Sequence, residues 1–140
     1  MRDVLDGLVG SIAFTAVGVL LLLAGFLLAD WLTPGPLRHQ IWSEGNRNAA
    51  VFLASALLGV GAIAFTSIIT TYADFWIGLA STAIFGVLGL LLMAGAFWLV
   101  DMLTPGKLGE ILVDPQPHPA VWVTAAANAA IAAIVCASIS

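Results

Sequence analysis

The sequence predicts an all-α membrane protein in which four transmembrane helices form one bundle. Hydrophobic residues make up 61% of the 140 residues and charged residues only 9%, and the mean hydropathy is +1.09. This composition is too apolar for the solvated surface of a soluble domain. The chain also contains four apolar runs of about 20 residues, the length that crosses a hydrocarbon core as a helix. These runs lack the alternation of barrel strands, so their backbone groups must be satisfied within helices.

The predicted spans run from Leu8 to Trp31, from Ala49 to Ile69, from Phe75 to Val100 and from Val121 to Ser140. The first run is too long for the apolar region of a cleavable signal peptide, and no small-residue cleavage pattern closes it before Asp30. We therefore expect it to remain in the protein. The single cysteine, Cys136, excludes an internal disulfide and is expected to act as a small hydrophobic residue. One membrane domain is predicted to cover residues 1–140.

A short polar phrase occurs twice, as DWLTPGPL from Asp30 and as DMLTPGKL from Asp101. Shifting the chain by 71 residues, the separation of these aspartates, aligns residues 7–69 with residues 78–140 without a gap. Matches outside the phrase include Phe14 with Phe85, Gly18 with Gly89 and Phe26 with Phe97. This self-similarity predicts an internal duplication. Because each half holds two spans, the halves are expected to be parallel repeats related by an axis along the membrane normal.

Each half is predicted to carry a short interfacial helix or turn between its two spans. A Thr followed by Pro fits an N-cap with Pro at the first helical position, so we expect Thr33 and Thr104 to begin these short helices. Their apolar side chains would then face the membrane. The residues concerned are Leu37, Ile41 and Trp42 in the first half and Leu108, Ile111 and Leu112 in the second.

Asp30 and Asp101 admit more than one interpretation. Each lies three residues before the Thr, where an Asp accepts hydrogen bonds from a turn at headgroup depth. Alternatively, a carboxylate near a helix C-terminus lies against the negative end of the helix dipole and calls for a compensating charge. Asp30 and Asp101, with Thr33 and Thr104 beside them, would then share a proton or bind a cation. A third interpretation pairs either carboxylate with a basic residue of another subunit or partner.

Two asparagines and one set of small residues are candidates for contacts between helices. Asn128 lies in mid-span, where an amide seeks a partner on a neighbouring helix or lines a pore. Asn48 precedes the second span and is a candidate for the same two roles. Small residues spaced four apart allow helices to approach closely. They are Ser55 and Gly59 in the second span and Ala125, Ala129 and Ala133 in the fourth, so we expect these two spans to form the core or a seam between subunits.

The charges exclude several functions and suggest an orientation. Four Lys and Arg against eight Asp and Glu give a net charge of −4, which argues against nucleic acid as a partner and against a polybasic lipid-binding patch. Arg38, Arg47 and Lys107 lie in the two loops within the halves, so the positive-inside rule favours cytoplasmic loops and outward-facing termini. His39 and His118 have no metal-ligand spacing around them, and no catalytic motif is present. We expect no metal, no cofactor and no enzymatic activity.

The duplicated two-span pattern, the D-x-L-T-P-G phrase and the stretch EGNRNAAVFLASALLGVGAIA resemble the small bacterial inner-membrane proteins of the YjfL type, a domain-of-unknown-function family. An Asn before a short Ala-rich opening of the second helix recurs in that family, and Asn48 before Ala49 looks like it. In the second half Pro119 stands at the corresponding position. The resemblance implies a multi-pass protein of the bacterial plasma membrane, encoded near envelope-stress and polyamine-related genes.

Two functions remain as hypotheses. The first is an oligomeric channel or permeation component for an ion or small cation, suggested by the duplicated polar phrases and by helices able to pack closely. The second is a membrane scaffold that works with membrane-stress partner proteins, suggested by the scarcity of polar groups deep in the spans. Both hypotheses place the chain in a lipid bilayer and predict a homo-oligomer, most simply a dimer.

Overall fold

The computed structural model describes residues 1–71 and 74–140, and in these ranges the chain forms α-helices and no strand. The helices are α1 (Arg2–Leu32), α2 (Leu37–Trp42), α3 (Arg47–Thr70), α4 (Phe75–Leu103), α5 (Leu108–Val113) and α6 (Ala120–Ile139). Of these, α1, α3, α4 and α6 are long and apolar enough to cross a membrane. This confirms the predicted all-α fold with four spans. Residues 72 and 73, between the second and third spans, lie outside the described residues.

Exposed tryptophans mark two membrane boundaries. Trp76, at the start of α4, is 75% exposed, and Trp98, near its end, is 64% exposed. They lie about 33 Å apart at a rise of 1.5 Å per residue, close to the thickness of a ~30 Å hydrocarbon core. Tryptophan is enriched at such interfaces. Trp31, Trp42 and Trp122 are also exposed at the same end of the bundle as Trp98. That end contains α2, α5 and the starts of α3 and α6, and is called the loop face below.

Helix α3 forms the centre of the bundle and packs against each of the other helices. In its most apolar window 44% of the residues are buried, against 22–28% for the other three spans. One buried cluster lies near the loop face and includes Phe52, Phe97 and Val121. A second lies deeper in the membrane and includes Val60, Ile63 and Met93. The apolar faces of α1, α4 and α6 thus converge on one central helix.

The contact between α3 and α6 depends on small side chains. A Cβ atom added at Gly59 would lie 3.2 Å from the Ala132 Cβ and 3.5 Å from the carbonyl oxygen of Asn128. The face of α6 that packs inward carries its buried residues, which are Val121, Thr124, Asn128, Ala132 and Val135. Of the two roles predicted for the alanine stripe, the core of the bundle and a seam between subunits, it does not fill the first, since Ala125 is half-buried and Ala129 and Ala133 are exposed. In α6 small residues occur on more than one face, so their spacing alone does not select the packed one.

The expectation that Thr33 and Thr104 begin the short helices is wrong. They are the C-caps of α1 and α4, and their hydroxyls donate to the carbonyl oxygens of Ala29 at 3.0 Å and Val100 at 2.7 Å. The following proline disfavours a helical residue before it. The chain then turns at Gly35 and Gly106, whose φ angles are +83° and +100°, in the left-handed region that glycine tolerates.

The short helices therefore begin later, at Leu37 and Leu108. The expectation that Leu37, Leu108 and Leu112 face the membrane is also wrong, because all three are 0% exposed and belong to the cluster near the loop face. Trp42 is exposed, as expected, while Ile41 and Ile111 are half-buried. Helices α2 and α5 thus cover the end of the bundle with their leucines directed inward.

Candidate functional site at the loop face

The two aspartates of the repeated phrase make the same backbone contact. Asp30 Oδ1 accepts a hydrogen bond from the Leu37 N–H, and Asp101 Oδ1 accepts one from the Leu108 N–H, both at 2.6 Å. Each bond joins the end of a membrane span to the first residue of the short helix seven positions later. It satisfies an N–H group at a helix start, which otherwise lacks an intrahelical acceptor, and an ionised acceptor strengthens it. Each carboxylate therefore has a local partner.

The two phrases approach each other at the loop face. A Cβ atom added at Gly109 would lie 2.9 Å from Pro34 Cδ, so the turn after α1 packs directly on α5. Between them lies a cleft of about 380 Å³, whose lining includes Thr33, Asp101, Lys107 and Glu110. Thr33 is buried and Thr104 is half-buried. No group of three His, Cys, Asp or Glu side chains able to hold a metal ion occurs among the described residues.

Asn48 connects the first half of the chain to the second. It is 3% exposed, and its Nδ2 lies 2.7, 3.1 and 3.4 Å from the carbonyl oxygens of Gln116, Asp114 and Ile111. Its Oδ1 accepts from the His118 N–H at 3.3 Å. The amide thus holds the segment between α5 and α6 against the start of α3. A single side chain thus satisfies the carbonyls of Asp114 and Gln116 and the N–H of His118, which lie between helices α5 and α6.

Asn128 lies in the contact between α3 and α6. Its Nδ2 donates to Ser55 Oγ at 3.0 Å, and Ser55 Oγ donates in turn to the Phe52 carbonyl at 2.7 Å. Asn128 is 2% exposed. A cavity of about 20 Å³ beside it is lined also by Gly25 and Met93 and is large enough for one water molecule.

The structure adds two polar residues that the sequence interpretation did not single out. Asn46 is the N-cap of α3, with its Oδ1 accepting from the Ala49 N–H at 3.2 Å. An Asn just before an apolar helical run is a known N-cap signal and would have identified it. Gln40 donates through Nε2 to the Pro34 carbonyl at 2.9 Å, which no local pattern predicts. Within the described residues, Gln40 Oε1 and Asn46 Nδ2 are buried without a hydrogen-bond partner.

Comparison with known proteins gives one family and several relatives. The family described as Domain of Unknown Function (DUF350) matches residues 3–139. A UPF0719 transmembrane protein of Mycolicibacterium paratuberculosis is 31% identical over 140 residues, which cover 100% of this chain and 93% of the relative. UPF0719 transmembrane proteins of Mycobacterium bovis and Mycobacterium tuberculosis are also 31% identical, over 100% of this chain and 92% of their own lengths. No solved structure matches the chain.

Proposed function

Since the chain belongs to the DUF350 family of membrane proteins, we propose that it works, without catalysing a reaction, as an oligomeric permeation component whose pathway for an ion or small cation lies between subunits. The proposal includes a bacterial plasma-membrane location, a likeness to the YjfL type and an origin of the two halves by duplication. It also includes cytoplasmic loops and outward-facing termini, because Arg38, Arg47 and Lys107 lie at the loop face.

The observation that carries the proposal is the outward face of α6. Apart from Ile134, its exposed residues between positions 126 and 137 are all alanines, namely Ala126, Ala129, Ala130, Ala133 and Ala137. Helices associate in lipid through close backbone approach, which small residues permit and lipid-facing leucines do not promote. By contrast, the outward residues of α1 include Leu20, Leu23 and Leu27, each more than half exposed. A second copy of the chain fits the α6 face better than lipid tails do.

The interior of one subunit favours a pathway between subunits over a pathway through the bundle. The buried hydroxyls of Thr82 and Thr124 donate to carbonyl oxygens of their own helices, at 2.8 and 3.1 Å, and Asn128 donates to Ser55. These groups are therefore occupied by protein partners. The central positions around them, such as Val60 and Ile63, are apolar and 0% exposed.

Flux measurements on liposomes test the proposal. The purified protein should pass K⁺ or a polyamine above the rate of empty liposomes, and Ala129→Leu should reduce both this flux and the oligomeric mass, because the added bulk separates the helices. Ala24→Leu, the same enlargement at an exposed residue of α1, is the matched control and should leave both unchanged. Absence of flux from the wild-type protein in every oligomeric state would refute the permeation role.

A membrane scaffold that contacts membrane-stress partner proteins is the second candidate. The observation that favours it is the local pairing of Asp30 and Asp101 with backbone N–H groups, which leaves these carboxylates less available to a passing cation. A scaffold would keep its oligomeric mass and give no flux. Crosslinking in cells at the loop face would then recover a second protein along with further copies of the chain.

A further inference from the structure

A second cleft at the loop face lies where α3 and α6 begin. Its volume is about 270 Å³. It is lined by two prolines together with Arg47, Asn48, Val51, His118, Val121 and Trp122. None of these is acidic, which separates this cleft from the neighbouring one that Asp101 and Glu110 line.

The polar groups free to face this cleft are hydrogen-bond donors. Arg47 is exposed and forms no ion pair within the described ranges, where the one pair is His39 with Glu44 at 3.9 Å. The Nδ1 atom of His118 accepts from the Ala120 N–H at 3.1 Å, so the neutral imidazole carries its hydrogen on Nε2. The indole of Trp122 is a donor as well.

The surrounding contacts hold the His118 imidazole in place and keep nearby acceptors engaged elsewhere. Asn48 Oδ1 accepts from the His118 N–H, which fixes the backbone that carries the imidazole. The amide of Asn48 is engaged by carbonyls of the same segment. Asp114, the nearest acidic residue of that segment, does not line the cleft, and its Oδ1 accepts from the Gln116 N–H at 2.9 Å. The cleft thus combines a guanidinium that forms no ion pair among the described residues with an oriented imidazole donor.

We propose that this cleft binds the phosphate group of an anionic phospholipid headgroup. Arginine forms strong bidentate bonds to phosphate oxygens, and basic pockets between membrane helices on the cytoplasmic side hold lipid headgroups. The position of the cleft along the membrane normal fits this ligand, because the exposed Trp122 indole marks the interface. Val51 and Val121 provide apolar walls towards the acyl chains. A soluble phosphate has the same chemistry but makes no use of these walls. The proposal does not depend on permeation.

Native mass spectrometry of protein released from nanodiscs tests the site. Wild-type protein from membranes containing equal phosphatidylglycerol and phosphatidylcholine should retain phosphatidylglycerol preferentially, and Arg47→Gln should lower that preference about tenfold, the effect of losing one charged hydrogen bond. The control is Arg38→Gln, which removes the same charge from the same face but outside the cleft and should leave the preference within about twofold. Equal losses in both variants, or no preference in the wild type, would refute the site.

A second arm distinguishes the source of the phosphate. Millimolar inorganic phosphate should not displace retained phosphatidylglycerol from the wild type, because the lipid also contacts the apolar walls. If phosphate displaces phosphatidylglycerol from the wild type but not from Arg47→Gln, the cleft is an anion site for soluble phosphate. That result would overturn the lipid assignment. Because Arg47 is exposed, its replacement should leave the unfolding temperature unchanged, and that measurement separates lost binding from lost structure.

Discussion

Asn46 is the N-cap of α3 and Asn48 lies in its first turn, so replacing either by Asp makes the same chemical change at the start of one helix. The structure predicts a different loss of unfolding free energy at each position. At Asn48 the amide donates to carbonyl oxygens of the segment between α5 and α6, the nearest at 2.7 and 3.1 Å. A carboxylate cannot donate, so two hydrogen bonds are lost at about 1 kcal/mol each. The negative charge would also face carbonyl oxygens in a buried site, which brings the expected loss to about 3 kcal/mol or more.

At Asn46 the same change removes nothing that the fold uses. The side chain contributes only an acceptor, for the Ala49 N–H, and its Nδ2 has no partner among the described residues. Asp and Asn are equally good N-caps, and a negative charge is favourable at a helix N-terminus. Asn46 is 2% exposed, so Asn46→Asp also carries the cost of burying a charge. Because it keeps its hydrogen bond and gains from the helix dipole, its loss of unfolding free energy should be smaller than that of Asn48→Asp by at least about 1 kcal/mol.

The measurement is the free energy of unfolding by detergent titration in mixed micelles, for both variants and for Asn48→Ala. The alanine variant loses the donors and the acceptor without adding charge, so it should be destabilised by about 3 kcal/mol. If Asn48→Asp remained as stable as the wild type, the Asn48 hydrogen bonds would contribute nothing and the reasoning would fail. Equal losses at positions 46 and 48 would instead indicate a general intolerance of buried charge at this end of α3.

Three further predictions follow from other parts of the bundle. Asp30→Asn and Asp101→Asn should each cost about 1 kcal/mol or less and should add in the double variant; a coupling above about 1 kcal/mol would show that the carboxylates share a site. A cysteine at Lys107 should be labelled only from the cytoplasm, and labelling from outside intact cells would reverse the orientation. Gly86→Ala should destabilise the protein by about 1–3 kcal/mol, because the added Cβ would meet Leu21. The control is Gly18→Ala, whose Cβ has open space and should be tolerated. Thermal unfolding in detergent compares the two variants, and equal stability would contradict the packing of Gly86 on Leu21.

The spans could be predicted from sequence because hydropathy is a local property. The long apolar run ending at Trp31 marks a helix whatever surrounds it. The sequence predicts its start at Leu8, although α1 begins at Arg2, because a helix can continue beyond the hydrocarbon core and composition marks only the part inside it. The spacing of Ser55 and Gly59 predicts a close contact between helices. It does not predict that Gly59 meets Ala132, because that pairing depends on how the two helices are rotated about their axes.

The loop face was harder to predict because its structure depends on contacts between distant residues. A Thr-Pro pair fits the beginning of a helix and also the end of one, and only the turn at Gly35 decides between them. The burial of Leu37 follows from α2 covering the bundle, which no short pattern reveals. The position of Asn48 before the predicted second span makes it a candidate for polar packing, but its partners cannot be predicted because they lie 63 to 70 residues later.

The long reach of the Asn48 contact has a consequence for biosynthesis. Its partners are translated after three of the four spans, and the inward face of α6 completes the packing around α3. Until the segment between α5 and α6 is made, the side chain of Asn48 has no partner, and until α6 inserts, the small residues of α3 face lipid or other chains. A nascent chain truncated before α6 would thus expose the face of α3 that the complete protein buries against α6.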